Sequence, residues 1–206
     1  MHRYLLITLF LALVLCTPIP KTKGYSIGNP AAPIEFQVFI VLTCPDCKTS
    51  FFDVLVPTIR DYVSTNKVRL VLTHFPLPFH MSAYDLSTTA NVVSESIFKN
   101  DPEGYLSFLS NAFSKQALFS NAKVINMTFS ERRHFIYKEL VSSFGLAEDS
   151  FNALFDADKT TRIHWKSGAA RSVAGTPWYF VNGIALEGGE EQTFADFQKL
   201  FNELLH

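Results

Sequence analysis

Thr43-Cys44-Pro45-Asp46-Cys47 is the stretch of this chain best equipped for chemistry. Two thiols stand two residues apart, where the apolar run from Ile34 to Leu42 gives way to a pattern that reads as a helix. A thiol at the start of a helix faces unpaired backbone N–H groups and the positive end of the macrodipole, and both favour the thiolate. Cys44 is therefore the expected nucleophile. Cys47, one turn further in and more buried, is placed to attack a mixed disulfide formed on Cys44 and release the bound partner. The chemistry is dithiol–disulfide exchange.

The chain has 3 cysteines in 206 residues, and random placement would give some pair this spacing roughly three times in a hundred. Two other uses of the pair stay open at this level. An inert disulfide across so short a loop removes little chain entropy and is a weak staple. A zinc half-site needs further ligands, and His74 and His80 could complete a Cys2His2 set. Those histidines flank the proline-rich loop Phe75-Pro76-Leu77-Pro78-Phe79, where either could simply be solvated or hydrogen-bonded.

Composition narrows the field. The chain is 48% hydrophobic with a formal charge of -1, so it can bury a sizeable core and has no polybasic character; nucleic acid is not an expected partner. Met1-His2-Arg3 followed by the apolar run Tyr4 to Leu15 is too short to span a bilayer and reads as a secretory signal peptide, with residues 1–24 as signal and lead. No membrane anchor is expected after its removal. If Cys16 leaves with the signal, the two remaining cysteines are both in the motif, and a secreted protein with one dithiol is not a stapled scaffold. Asn126-Met127-Thr128 is a glycosylation sequon, usable only in a eukaryotic lumen. The C-terminal Asn202-Glu203-Leu204-Leu205-His206 is not an endoplasmic reticulum retrieval signal.

Around the motif, the apolar run Ile34 to Leu42 reads as a strand buried on both faces. Helical spacing of Phe51, Phe52, Val54, Leu55, Ile59, Tyr62 and Val63 predicts a helix from Cys47 to about Asn66, kinked near Pro57. Val68 to Thr73 reads as a second strand, closing a right-handed βαβ unit.

From Ser82 to Ala174 the pattern is helix after helix, with segments expected over 82–99, from Asp101, from Thr128 with Glu131 as a capping box, over 149–157 and over 160–174. Phe108, Leu109, Phe113, Phe151, Leu154 and Phe155 are expected in the core. Trp178 to Val181, Asn182-Gly183 and Ile184 to Leu186 predict a hairpin with a type I′ turn. A last helix from Thr193, with Asp196 completing a capping box, is expected to bury Phe194, Phe197, Leu200, Phe201 and Leu204.

That order, with Cys44-Pro45-Asp46-Cys47 after the first strand and Gly175-Thr176-Pro177 before the hairpin, resembles the thioredoxin superfamily. The long helical block resembles its DsbA-like branch. The resemblance implies an α/β, thioredoxin-like fold (βαβ … ββα) with an all-helical insertion, the thioredoxin-like domain being residues 25–81 and 175–206 and the insertion residues 82–174. It also implies a cis peptide before Pro177, packed across from Cys44, with the Thr176 backbone offering strand-like hydrogen bonds to a bound peptide. Two departures stand out. A buried acid on the first strand of many relatives is here Val38, which removes a proton acceptor for Cys47. The intervening dipeptide is Pro45-Asp46 rather than the Pro-His of the strongly oxidising bacterial relatives, and an ionised Asp46 is expected to raise the Cys44 pKa relative to theirs.

The resulting expectation is a secretory-pathway thiol–disulfide oxidoreductase, with Cys44 as nucleophile and Cys47 as resolving thiol. Its partners are protein thiols and disulfides plus a redox partner that recycles the dithiol. Client chains lie extended beside Pro177 against apolar surface of the helical block. No metal, flavin or nucleotide is called for, and no glycine-rich phosphate loop is present. The alternative is a secreted thioredoxin-like binding or chaperone module with a weakly active or vestigial dithiol, which Val38 and the missing retrieval signal favour.

Overall fold

The computed structural model describes residues 22–186 and 189–206. The expected signal segment, with Cys16, falls almost wholly outside the described residues. Among those residues, no helix is long and apolar enough to cross a membrane.

Five strands form one mixed sheet in the order β1-β3-β2-β4-β5. They are β1 (Tyr25–Ile27), β2 (Ile34–Ile40), β3 (Val68–His74), β4 (Trp178–Val181) and β5 (Ile184–Ala185). The β2 and β3 strands are parallel, with Phe36 opposite Leu70. β4 runs antiparallel to β2, with Val38 opposite Tyr179. The strand β1 was not legible in the sequence: only three residues long, it carries a single buried apolar side chain, and its pairing with β3 defines it. The β4–β5 turn has Asn182 at φ 49° and Gly183 at φ 82°, both left-handed as a type I′ turn requires.

Between β2 and β3 runs one helical stretch, α1, built of an α segment Pro45–Ser50, a π turn Phe51–Leu55, an α turn Val56–Thr58 and a second π turn Ile59–Val63. Pro57 has no N–H to donate, and the helix meets this with wide turns on either side. The Val56 N–H reaches back five residues to Phe51, and Ser64 reaches Ile59. Phe52, counted with the buried stripe in the sequence, is exposed because the π turn rotates it outward.

The helical block comprises α2 (Ala83–Ser96), α3 (Pro102–Ser114), α4 (Asn121–Val124), α5 (Phe129–Ile136, prolonged by a π turn Tyr137–Val141), α6 (Glu148–Ala157) and α7 (Thr160–Ala169). α8 (Phe194–Leu204) closes the chain. Both expected capping boxes are formed, Thr128 with Glu131 and Thr193 with Asp196, and Asp101 caps α3 through the Gly104 N–H. Gly145, at φ 80°, ends the helical run after α5.

Three expectations need correction. Leu154 and Leu204 are 40% and 47% exposed, because Phe151 and Phe155 already fill the inward face of α6, while Phe197 and Phe201 fill that of α8. α7 stops at Ala169 rather than at Ala174. There the Val173 N–H bonds the Gly168 carbonyl around Ser172 at φ 60°, which turns the chain toward Gly175-Thr176-Pro177.

The sheet is covered on both faces. On one, Phe36 packs on Phe197 and Phe201 of α8 at ring separations of 4.7 and 5.3 Å, and Tyr62 of α1 meets Phe201 at 5.2 Å. On the other, Phe39 packs edge-on against Phe75 at 5.9 Å. Gly168 of α7 lets Phe75 come close, since a methyl there would stand 2.6 Å from its ring. Arg132 of α5 pairs with buried Asp85 of α2 at 2.6 Å, and Asn91 and Thr88 of α2 bond Thr161 of α7. These contacts fix the helical block and, with it, the loop after β3 that borders the dithiol.

Candidate active site

β2 ends at Ile40, and the buried residues Val41, Leu42 and Thr43 carry the chain to Cys44. Cys44 is the N-cap of α1, with extended φ and ψ of -83° and 125°; Pro45 occupies the first helical turn, where a missing N–H does no harm. The thiol therefore stands where a serine or aspartate would cap the helix.

Both cysteines are free thiols, Cys44 being 6% exposed and Cys47 0%. The Cys44 thiol is lowered to about 6, first by the Cys47 thiol donating to it, against burial, and further by the Cys47 backbone N–H. Burial drives Cys47 the other way, well above the ordinary thiol range, and its sulfur accepts from the Val41 N–H at 3.5 Å. The two thiols are thus split into one that ionises near neutrality and one that holds its proton. This is the pattern that sequential nucleophilic attack requires.

Across from them the Thr176–Pro177 peptide is cis. In its protonated form the Cys44 thiol donates to the Thr176 carbonyl, 3.2 Å away. The Asp46 carboxylate lies 3.9 Å from the same sulfur, on an exposed residue where water screens it. Tyr179, one strand residue beyond Trp178, shares a hydrogen bond of 2.6 Å with Ser50 of α1, tying the proline strand to the dithiol helix.

One positioning residue escaped the sequence reading. Gln116, at the start of a 3-10 turn after α3 (Gln116–Phe119), donates through Nε2 to the carbonyls of Leu42 and Cys44, at 2.9 and 2.8 Å. An amide 72 residues downstream thus holds the loop that presents the nucleophile. Nothing in its local sequence could have flagged it, because its role exists only once the helical block sits on the sheet.

Of the two histidines considered for zinc, His74 is turned into the core. His74 is 1% exposed and bonds Tyr105 Oη through Nε2 at 2.6 Å; burial drops its pKa to about 3. Among the described residues no group of three or more His, Cys, Asp and Glu side chains is arranged to hold a metal. Val38 is fully buried, as an apolar filler of the sheet. Asn126 is exposed in a turn after α4.

A dithiol at a helix N-terminus facing a cis-proline strand, on a βαβ and ββα sheet with helices inserted between the halves, defines a thioredoxin-like protein with a helical insertion. The family model described as Thioredoxin matches residues 21–203, and the chain belongs to that family. In sequence it is 28% identical over 98 residues to disulfide bond formation protein D of Bacillus subtilis. That match spans 47% of this chain and 42% of the relative, less than half the length of either. In structure it is similar to DsbA of Chlamydia trachomatis, with a TM-score of 0.66 at 18% identity, covering 92% of this chain and 96% of that one. It is also similar to oxidised BdbD of Bacillus subtilis, with a TM-score of 0.63 at 17% identity, covering 88% and 92%.

Proposed function

We propose that this protein is a thiol–disulfide oxidoreductase acting on protein substrates through Cys44 and Cys47. The observation that carries the reading is the opposed ionisation of two adjacent thiols, with the acidic one facing the Thr176–Pro177 peptide. The similarity to a disulfide bond formation protein supports it.

In the reducing direction, the Cys44 thiolate attacks one sulfur of a client disulfide, and the client's other sulfur leaves as a thiolate that takes up a proton. Cys47 then loses its proton and attacks the Cys44 sulfur. The second client thiol departs, and the Cys44–Cys47 disulfide keeps the oxidising equivalent. The same two steps reversed oxidise a client dithiol. The recycling partner and its potential set the direction.

Ionisation of Cys44 also prepares the substrate site. Once the thiol proton is lost, the Thr176 carbonyl 3.2 Å away has no donor from Cys44 and is free to accept an N–H from an extended client chain beside Pro177. With Val38 in place of an acid, the Cys47 proton leaves through water or the client's departing thiolate. Pro45 and Asp46 tune the couple. Residues 25–81 and 175–206 act as the redox scaffold and residues 82–174 as the insertion that shapes the client surface. The apolar N-terminal run of residues 1–24 directs the chain to the secretory pathway, where Asn126 is open to glycosylation in a eukaryotic lumen.

The Cys44 pKa tests the reading directly. Alkylation rate against pH is expected to show a midpoint of about 6; a midpoint near the ordinary thiol value of ~8.5 would reject the exchange mechanism in favour of a binding module. For the tuning role, Asp46→His is expected to lower that midpoint and to make the disulfide more oxidising in a glutathione titration, because a cation replaces an anion 3.9 Å from the sulfur. A histidine variant no more oxidising than the wild type removes Asp46 from the account.

A further inference from the structure

Beside the dithiol, a groove of about 480 Å³ is bordered by Thr43, Pro45, Lys48 and His80 and by the segment from Gln116 to Ala122. His80 also borders a second, strongly apolar cavity of about 430 Å³, lined among others by Leu77, Met81, Tyr84, Arg162 and Trp165. The two are therefore neighbours across one side chain, the first beside Cys44 and the second where the β3–α2 loop meets α7.

One wall of the second cavity, Trp165, rests on a buried ring. Trp165 stacks on Phe75, ring centroids 6.5 Å apart and planes within 6° of parallel, and Phe75 is seated against Gly168. Its apolar walls stay open to solvent: Met81, Tyr84 and Trp165 are each more than two-fifths exposed. Its charge is one-sided. Arg162 is exposed and forms no ion pair among the described residues, and the side chains bordering both cavities include Arg162, His80 and Lys48 but no carboxylate.

We propose that this groove is a docking site for client polypeptide, taking a large apolar side chain between Leu77, Tyr84 and Trp165 and an adjacent Asp or Glu carboxylate on Arg162. The inference deepens the proposed function, on which it rests, by naming the substrate class: extended segments that pair an apolar residue with an acid a few residues from the reacting cysteine. Two features argue for this occupant. The cavity shares His80 with the groove that borders Thr43 and Pro45 beside Cys44, and its unpaired guanidinium complements an anion and repels a cation.

The test uses the purified protein, a dithiol reductant that returns the Cys44–Cys47 disulfide to the dithiol, the uncharged bis(2-hydroxyethyl) disulfide and two short peptides, each with one cysteine held as a mixed disulfide with a small uncharged thiol. One peptide carries Phe-Glu near the cysteine and the other Phe-Lys. The Glu peptide is expected to be reduced about fivefold to tenfold faster in kcat/KM, the range of one solvent-exposed ion pair gained and one repulsion avoided. Arg162→Glu is expected to invert that preference and leave turnover of the uncharged bis(2-hydroxyethyl) disulfide unchanged. High salt is expected to erase the difference. Met81→Thr is expected to slow both peptides relative to bis(2-hydroxyethyl) disulfide.

Equal rates for the two peptides, or an equal loss on all three substrates in Arg162→Glu, overturns the proposal. So does a stable dimer that Arg162→Glu dissociates, which assigns the groove to a second copy of this chain. If no disulfide is turned over, the redox reading has failed on its own. Fluorescence anisotropy of the same peptides with serine for cysteine then decides docking: preference for the Glu peptide, lost in Arg162→Glu, upholds it, and indifference overturns it.

Discussion

Cys44→Ser is expected to abolish disulfide exchange, with turnover of a peptide disulfide falling on the order of a thousandfold or more, because the hydroxyl does not ionise near neutrality and cannot accept the client sulfur. Cys47→Ser is expected to behave differently. It keeps the nucleophile but removes the second attack, so client proteins accumulate as mixed disulfides on Cys44 that a reductant releases on a non-reducing gel. In Cys47→Ala, which has no donor at that position, the Cys44 thiol is expected to be less acidic than in the wild type, since the largest effect lowering it is the hydrogen bond from Cys47. The contrast between the two variants is the point. Unchanged turnover in Cys44→Ser rejects the mechanism outright, whereas equal loss without trapped intermediates in Cys47→Ser rejects the division of labour between the thiols.

The second large effect concerns stability in acid. His74 and His164 are buried on the face of the sheet that carries the helical block, and their pKa values are held at about 3 and about 4. Burial is the chief cause for both; His164 adds repulsion for His74, while Asp158 and Lys23 act on His164 in opposite senses. Each histidine binds its proton near pH 6.5 once the chain unfolds. The unfolded state thus takes up more protons as pH falls, and stability drops as the medium is acidified from about 6.5 toward 4, with the full stability present above that window.

At about 1.4 kcal/mol per unit of depression, the pair removes on the order of 5 kcal/mol by pH 4, a large part of what a domain of this kind holds in reserve. Urea denaturation as a function of pH measures this. The slope of unfolding free energy between pH 4 and 6.5 is expected to flatten in His74→Gln, which retains a partner for Tyr105 but has no proton to gain. An unchanged slope in that variant assigns the acid sensitivity to other groups.

Much of the dithiol site was legible in the chain because its parts are local. Cys44 and Cys47 share one helical turn, and the N-cap position, the proline at the first turn and the capping boxes of α5 and α8 depend on residues three or four apart. The hairpin was legible for the same reason, since Asn182-Gly183 states its own backbone geometry. The errors fell where a local pattern had no local arbiter. Leu154 and Leu204 keep helical phase with their buried neighbours yet face solvent, because the packed surface is narrower than the apolar stripe. The π turns around Pro57 follow from how a long helix must lie across the sheet, which spacing alone does not encode.

What the amino-acid order determined by itself was the pair of thiols, their placement at a helix start, and the succession of strands and helices around them, all set by periodicity and capping over a few residues. What only the tertiary structure decided was the chemistry's surroundings. Thr176 and Gln116 reach Cys44 from 132 and 72 residues away, His74 turns into the core instead of toward the sulfurs, and Arg162 comes to border an apolar cavity with Leu77, Tyr84 and Trp165. Those contacts arise when the sheet and the helical block bury their apolar faces against each other, and burial is a property of the assembled chain, not of any segment within it.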